Sequence, residues 1–501
     1  MLLTAHQKQF VLGPVPVLVR PDWRTIQIAD SLVLSHCPKL RIEKLQSKDG
    51  VPYWLVGIAI RADGLGSISD GFAARDSAEI ESWTGFWAGR WFLVSADRCW
   101  QDLTGCLGIF HRRVESGFWI SNSSALLGDH LPGAPSAPRL PWQMVDNKGV
   151  DWIPLPFSMR EGVYKLIPLR TIRPRTGEIT PLRFTAPPVK TGEEIQAIAS
   201  ALKTIMVNWA HAGFREHVMA LTSGIDTRSM LAAAVAAKIN AEFFTTRFPI
   251  TMERDLRLPP RIAARAGVRH TMRRLAPFAA SEGDARLATI SQHMDGTHWH
   301  RSTMYMARHQ YDLLGEGQTV AHGNVFGGEG RCSYWAKLSN LGREAPPTNP
   351  DHILDSLTFR STWRPEPRDL WRRAFQAWID SLEDQVPLAL DWRDRFYLEQ
   401  RCGGWNSTTQ AFWDLMDGTT FYPGNSLWMT HLFLKFGPEK RKQGFPQREA
   451  IRLLAPELLE IPINPEPMSK RLRQATRDLL GPKVVRALRS LVPKSQPRSV
   501  S

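Results

Sequence analysis

The chain has 501 residues, 43% hydrophobic and 22% charged, a globular composition with room for two to four domains. A net charge of +14 and 19 tryptophans would suit a nucleic acid, another polyanion or a sugar, but the charges are scattered until the C-terminus, which argues against nucleic acid. Five cysteines without metal-ligand spacing, no apolar stretch of ~18 residues and no signal-peptide pattern at the start exclude a disulfide framework and a membrane span, and point to a cytoplasmic enzyme.

Residues 1 to about 190 read as strands punctuated by turns. Trp54–Ile60, Arg90–Val94 and Gly117–Ser121 have strand composition and are separated by Gly, Asp, Asn and Pro. The Pro- and Arg-rich segment from Pro154 to Pro188, with a strand-like Gly177–Arg183, reads as the tail of a first domain plus a linker.

Gly192 to about Ala210 carries Ile195, Ile198, Leu202, Ile205 and Met206 at helical spacing. Next comes a short, mostly apolar strand, His217–Leu221, then the small residues Thr222-Ser-Gly224, then an Ala-rich helix. A strand, tight turn and helix in succession point backbone N–H groups and a helix N-terminus at an anion. Asp226 cannot attract phosphate itself, so its partner in such a site would be a phosphate-bound Mg2+. The same residues would also serve an ordinary strand–helix connection capped by Asp226. Ala241–Phe248 is a second strand and Asp255–Ala266 a helix, with Pro259 and Pro260 in its first turn or breaking it. With His270–Leu275 as the next strand, the alternation predicts a parallel sheet whose ligand site lies at the carboxyl ends of its strands.

A helix around His300–Leu314 and a strand at Gln318–Asn324 follow, leading into Val325-Phe-Gly-Gly-Glu-Gly-Arg-Cys-Ser-Tyr-Trp335. On its surroundings alone, Glu329 there reads as an exposed loop acid. Residues from about 350 to 435 read as helical; their aromatics are core or a sugar or peptide platform. Lys470–Arg489 is basic, with an apolar stripe including Leu472, Leu479 and Leu488. It would either pack on its own domain or lie peripherally on an anionic membrane surface, and Lys494–Ser501 reads as disordered.

Leu221-Thr-Ser-Gly-Ile-Asp-Thr227 resembles the S-G-G-x-D-S pyrophosphate loop of the asparagine-synthetase-type ATP pyrophosphatases. Ser223 stands for the first glycine and Thr227 for the last serine. Gly327-Gly-Glu-Gly330 resembles the family's S-G-E-G-x-D-E loop, with Cys332 and Ser333 in place of its Asp, a second Mg2+ ligand there, and its Glu, so the resemblance leaves two-metal binding open. Gly89–Val94, Asp102–Phe110 and Ser121–Leu127 follow the order of the amidotransferase domain that precedes it, whose R-D-x-x-G motif aligns with Asp102-Leu-Thr-Gly105. Tyr397–Arg401 and Phe421–Leu427 are loosely similar to its D-R-x-S-M and R-x-P-F-L-D region.

The resemblance implies an α/β protein in two parts. A sheet-rich, Ntn-like α+β domain (1–188) precedes an ATP-pyrophosphatase (adenine nucleotide α-hydrolase-like) parallel-sheet domain with a helical C-terminal part (189–470), and a basic tail (471–501) follows. It implies ATP and Mg2+ as cofactors, nucleotide contacts from Leu221, Thr222, Ser223, Gly224, Ile225, Asp226, Thr227, Phe248 and Gly328, and the metal on Asp226. Glu329 and Lys470 would be catalytic, Lys470 by stabilising developing charge. The family's glutaminase uses an N-terminal cysteine, but this chain opens Met1-Leu2-Leu3, so glutamine hydrolysis is not expected. The partners would be a small-molecule or peptide carboxylate and an amine or ammonia. Relatives of this kind include β-lactam synthetases and lasso-peptide cyclases, so an intramolecular amide cyclase stays open, as do a tRNA-modifying ATP pyrophosphatase and a non-catalytic scaffold.

Overall fold

The computed structural model describes residues 3–144, 151–248, 251–299, 301–309, 315–325, 338, 345–358, 364–388 and 390–465. Its described residues up to Ile461 pack as one compact unit.

The first half is a mixed α/β structure built on two antiparallel sheets. Its strands are Phe10–Gly13 (β1), Arg24–Ala29 (β2), Leu32–His36 (β3), Ile42–Gln46 (β4), Pro52–Arg61 (β5) and Trp87–Val94 (β6). Cys99–Gln101 (β7), Phe110–Val114 (β8), Gly117–Ser121 (β9), Val163–Lys165 (β10), Arg170–Ile172 (β11) and Ile179–Pro181 (β12) complete them. One sheet runs β10-β8-β9-β1-β3-β2 and the other β12-β11-β7-β6-β5-β4. Phe10, Leu12, Leu34, Val56, Phe92 and Phe118 interdigitate between them, each stabilising the fold by roughly 1.5–3 kcal/mol of transfer free energy.

Every residue of β6 is buried, because both faces of that strand are covered. Phe92 and Val94 face the partner sheet, whereas Trp87 packs on Trp83, Trp91 and Phe72. The helices Ile68–Ala73 and Ser77–Trp83 supply Phe72 and Trp83. The chain's tryptophans here are sheet-to-helix filler. Three strands, β10 to β12, fall in the segment read from sequence as a domain tail and linker. Each pairs with a neighbouring strand, so the Pro-rich stretch is part of the sheets through Pro181.

The second half is built on a five-stranded sheet of Glu216–Ala220 (β13), Glu242–Arg247 (β14), His270–Arg274 (β15), Gln318–Ala321 (β16) and Thr419–Phe421 (β17). All pairings are parallel, in the order β15-β14-β13-β16-β17. The chain therefore winds outward from β13 to β15, then returns to the other side of β13. The expected parallel sheet is present. β17 was unforeseen, because three residues inside a Trp-rich helical stretch carry no strand periodicity.

Two helices depart from the sequence reading. Glu253–Ala266 is continuous with Pro259 and Pro260 in its interior, neither in the first turn nor breaking it. Burial of Leu258, Pro259, Ile262 and Ala263 offsets the missing hydrogen bonds, and Gly267 ends the helix at φ 66°. The helix expected over His300–Leu314 is described only as Arg301–Ala307; His309 instead bridges to Pro277.

His293 sits at the seam between the halves and is 2% exposed. Its Nδ1 accepts from the His6 N–H at 3.0 Å, so the ring proton lies on Nε2, which donates to the Ala411 carbonyl at 3.0 Å. Burial, only partly opposed by Asp414, brings its pKa down to about 4. The unfolded chain binds that proton near pH 6.5, so this group's contribution is complete above pH 6.5 and is lost as pH falls toward 4. The expected loss is at most about 3 kcal/mol. Denaturant midpoints at pH 7.5 and 5 test it, and the fall should be shallower in His293→Gln.

Candidate functional site

The order of the parallel sheet reverses between β13 and β16, and in open α/β sheets the crevice at such a switch point, beyond the strands' carboxyl ends, takes ligands. The turn 221–227 occupies that position. Leu221 leaves β13 with its N–H on the Phe244 carbonyl (2.8 Å), and its own carbonyl accepts from Thr245 Oγ1 (2.7 Å). The Thr222 and Thr227 hydroxyls meet at 3.0 Å, Thr222 N–H donates to Thr227 Oγ1 (3.1 Å), and Gly224 N–H donates to Thr222 Oγ1 (3.1 Å). Thr227 thus closes the turn.

Gly224 begins the helix Ile225–Ala236 in extended conformation, with no side chain capping it. Such a helix start presents backbone N–H groups without intrahelical partners. Arg228 is fully buried behind the turn and donates to the carbonyls of Ser223, Leu458 and Ile461. Burial draws its pKa down to about 10, so it remains cationic at neutral pH and favours an anion in front of the turn.

Sequence reasoning missed Asp255. Its Oδ1 accepts from both the Ser223 N–H (2.9 Å) and the Ser223 hydroxyl (2.6 Å). A carboxylate therefore already holds two donors of the turn.

Asp226 is half-buried and faces a cleft of about 140 Å³. Gly323, Asn324 and Val325, which follow β16, line the same side. A Cβ at Gly323 would lie 3.0 Å from Thr227 Cγ2 and 3.2 Å from its backbone N, so glycine permits the two strand-end loops to touch. The opposite wall is the π-helix Phe396–Asn406, through Tyr397, Arg401, Trp405 and Asn406. Its Gly404 leaves room for Trp152, whose Cδ1 would be 2.2 Å from an added Cβ. Arg401 donates to Asp151 (2.5 Å) and lies over the Trp405 ring at 4.2 Å. Asn406 accepts from Asn324 and Gln410, both at 3.2 Å, and donates to Cys106 Sγ at 3.1 Å. Tyr397–Arg401, singled out above by its loose family similarity, lies on this wall; the Gly403-Gly404 pair inside an aromatic helix was a further sign that went unread.

Of the residues expected to form the site, Asp226 lines the cleft and the rest of 221–227 forms the turn behind it. Phe248 lies just past β14, packs edge-to-face on Tyr305 at 5.5 Å and is not among the residues that line the cleft. Gly328, Glu329, Cys332, Ser333 and Lys470 lie outside the described residues. Among the described residues, no three His, Cys, Asp or Glu side chains gather as metal ligands, and no helix is long and apolar enough to cross a membrane.

No family model matches the chain, and no curated protein matches it. Among solved structures it is similar to a glutamine-dependent NAD+ synthetase from Acinetobacter baumannii in complex with ADP. The identity is 20% over 27% of this chain and 24% of that one, with a TM-score of 0.17. The match thus spans about a quarter of that enzyme, too little to carry an argument about function.

Proposed function

We propose that this chain is an ATP-dependent carbon–nitrogen ligase of the asparagine-synthetase type. In this reading it activates a carboxylate as an acyl-adenylate and passes it to ammonia or an amine, without a glutaminase of its own. Residues 1–188 are then a degenerate amidotransferase-like domain and 189–470 the ligase domain. One observation carries the reading: a small-residue turn and an uncapped helix start lie at the switch point of a parallel sheet, with Asp226 facing a cleft. That arrangement suits a pyrophosphate, whose charge the helix start and Arg228 both favour.

Asp226 fits one ligand position for a phosphate-bound Mg2+, which would neutralise charge on the departing pyrophosphate. Glu329 is assigned proton transfer from the attacking nitrogen, and Lys470 charge stabilisation. The acyl group would lie in the cleft against the π-helix, where Arg401 and the Asn324–Asn406 amides offer polar anchors.

The test is release of AMP and pyrophosphate from Mg·ATP, with a bacterial metabolite extract supplying substrates. Wild type is expected to release both only with extract, and Asp226→Ala to release about a hundredfold less or none. A binding protein without catalysis is the second reading, favoured by the hold of Asp255 on Ser223. Absence of both AMP release and ATP binding by wild type would decide for it.

A further inference from the structure

We propose that Asp255 is a latch on the anion seat of the 222–227 turn, and that a pyrophosphate group enters by displacing it. This rests on the nucleotide reading above and adds a conformational step to it. Both donors of Ser223, the N–H and the hydroxyl, converge on Asp255 Oδ1. A phosphate oxygen reaching for those donors meets a carboxylate that already holds them and repels it. The two anions cannot share the seat.

Asp255 is not needed to shape the turn. The Thr222–Thr227 hydroxyl pair, the Gly224 N–H on Thr222 and the strand bonds of Leu221 already fix it. Asp255 is also partly exposed, in the first turn of the helix Glu253–Ala266. That turn is weakly tied to the helix behind it. In a regular α-helix, residue 259 donates to the carbonyl of 255, and residue 260 to that of 256. Here both positions are proline, with no N–H to give. The two bonds that would bind Asp255 and Leu256 to the helix body are therefore absent, and the turn carrying the carboxylate can move while Leu258, Ile262 and Ala263 stay packed. The prolines thereby acquire a purpose beyond the packing of Pro259: they make the latch cheap to open.

Calorimetric titration of the full chain with inorganic pyrophosphate and Mg2+ tests this. Asp255→Ala and Asp255→Asn are expected to bind pyrophosphate about tenfold tighter than wild type, and Asp255→Glu to stay close to it. The double replacement Pro259→Ala with Pro260→Ala restores both N–H groups. It should weaken binding several-fold in the Asp255 background and change nothing in the Asp255→Ala background. Affinity unchanged or weakened in both Asp255→Ala and Asp255→Asn, with melting temperatures near wild type, would overturn the latch. Such a result with wild type still binding ATP leaves the nucleotide reading standing. If neither wild type nor any variant binds pyrophosphate or ATP, both fall.

Discussion

Asp102→Ala is expected to destabilise the protein by about 4 kcal/mol, among the largest single-residue losses available to this chain. Asp102 is fully buried and its carboxylate organises the turn after β7. Oδ1 accepts from the N–H groups of Thr104 (3.2 Å) and Cys106 (2.9 Å) and from Asn425 Nδ2 (2.7 Å). Oδ2 accepts from the N–H groups of Trp91 and Leu107, both at 3.3 Å. Asn425 also donates to the Gly89 carbonyl at 2.6 Å and accepts from Thr104 at 3.0 Å, so one carboxylate joins the sandwich to the loop that follows β17.

Alanine would strand five donors. Each buried orphan costs about 1–3 kcal/mol, discounted because a cavity this polar admits water. Asp102→Asn keeps the volume but turns one acceptor into a donor, and should lose about half as much. Urea midpoints at constant slope measure both. A loss under about 1 kcal/mol for Asp102→Ala would show that the turn holds without its acceptor.

That hub also shows what was readable in advance. Asp102 belongs to a short motif, and a turn wound around its own aspartate is local chemistry that sequence displays. The same holds for the Ala-rich helix after Gly224 and for β5, β6 and β9, whose β-branched and aromatic residues announce buried strands. What escaped were relations between distant positions. Nothing in the spacing of Ser223 and Asp255 reveals that they touch, since the contact depends on how β14 returns the chain beside β13. The pairing of that turn with the π-helix was hidden for the same reason: Asp226 and Arg401 line one cleft because β16 lies beside β13 and because Gly404 lets the π-helix close on Trp152. Pro259-Pro260 was misread because local rules take prolines as breaks, whereas tertiary burial of Pro259 and Ile262 keeps that helix whole.

The ion pair Arg90–Asp414 should behave oppositely when cut once and when removed entirely. Its geometry is bidentate, at 2.5 and 2.7 Å, with both side chains under 10% exposed. Burial alone would lower the Arg90 pKa, but Asp414 outweighs it and raises it. Arg90→Ala leaves a carboxylate in a dry seam and is expected to cost about 3–5 kcal/mol. Asp414→Ala should cost about 1 kcal/mol more, because a second cation is near. Lys8 is buried, donates to the Met416 and Gly418 carbonyls, and feels both Asp414 and Arg90. Burial already lowers its pKa to about 8, and removing the anion drives it lower.

The double variant Arg90→Met with Asp414→Leu takes both charges away together and should recover most of the loss, since two apolar groups need no solvation. Recovery would mean that the pair specifies the seam more than it stabilises it. What it specifies is placement: Asp414 directly follows the helix Ser407–Trp413, which continues from the π-helix facing Asp226. A double variant as stable as wild type but impaired in AMP release would therefore locate the pair's value in the alignment of the cleft. One that keeps both stability and AMP release would leave that alignment to the other contacts between the halves, the Asp102–Asn425 hub and the Asn406–Cys106 bond among them.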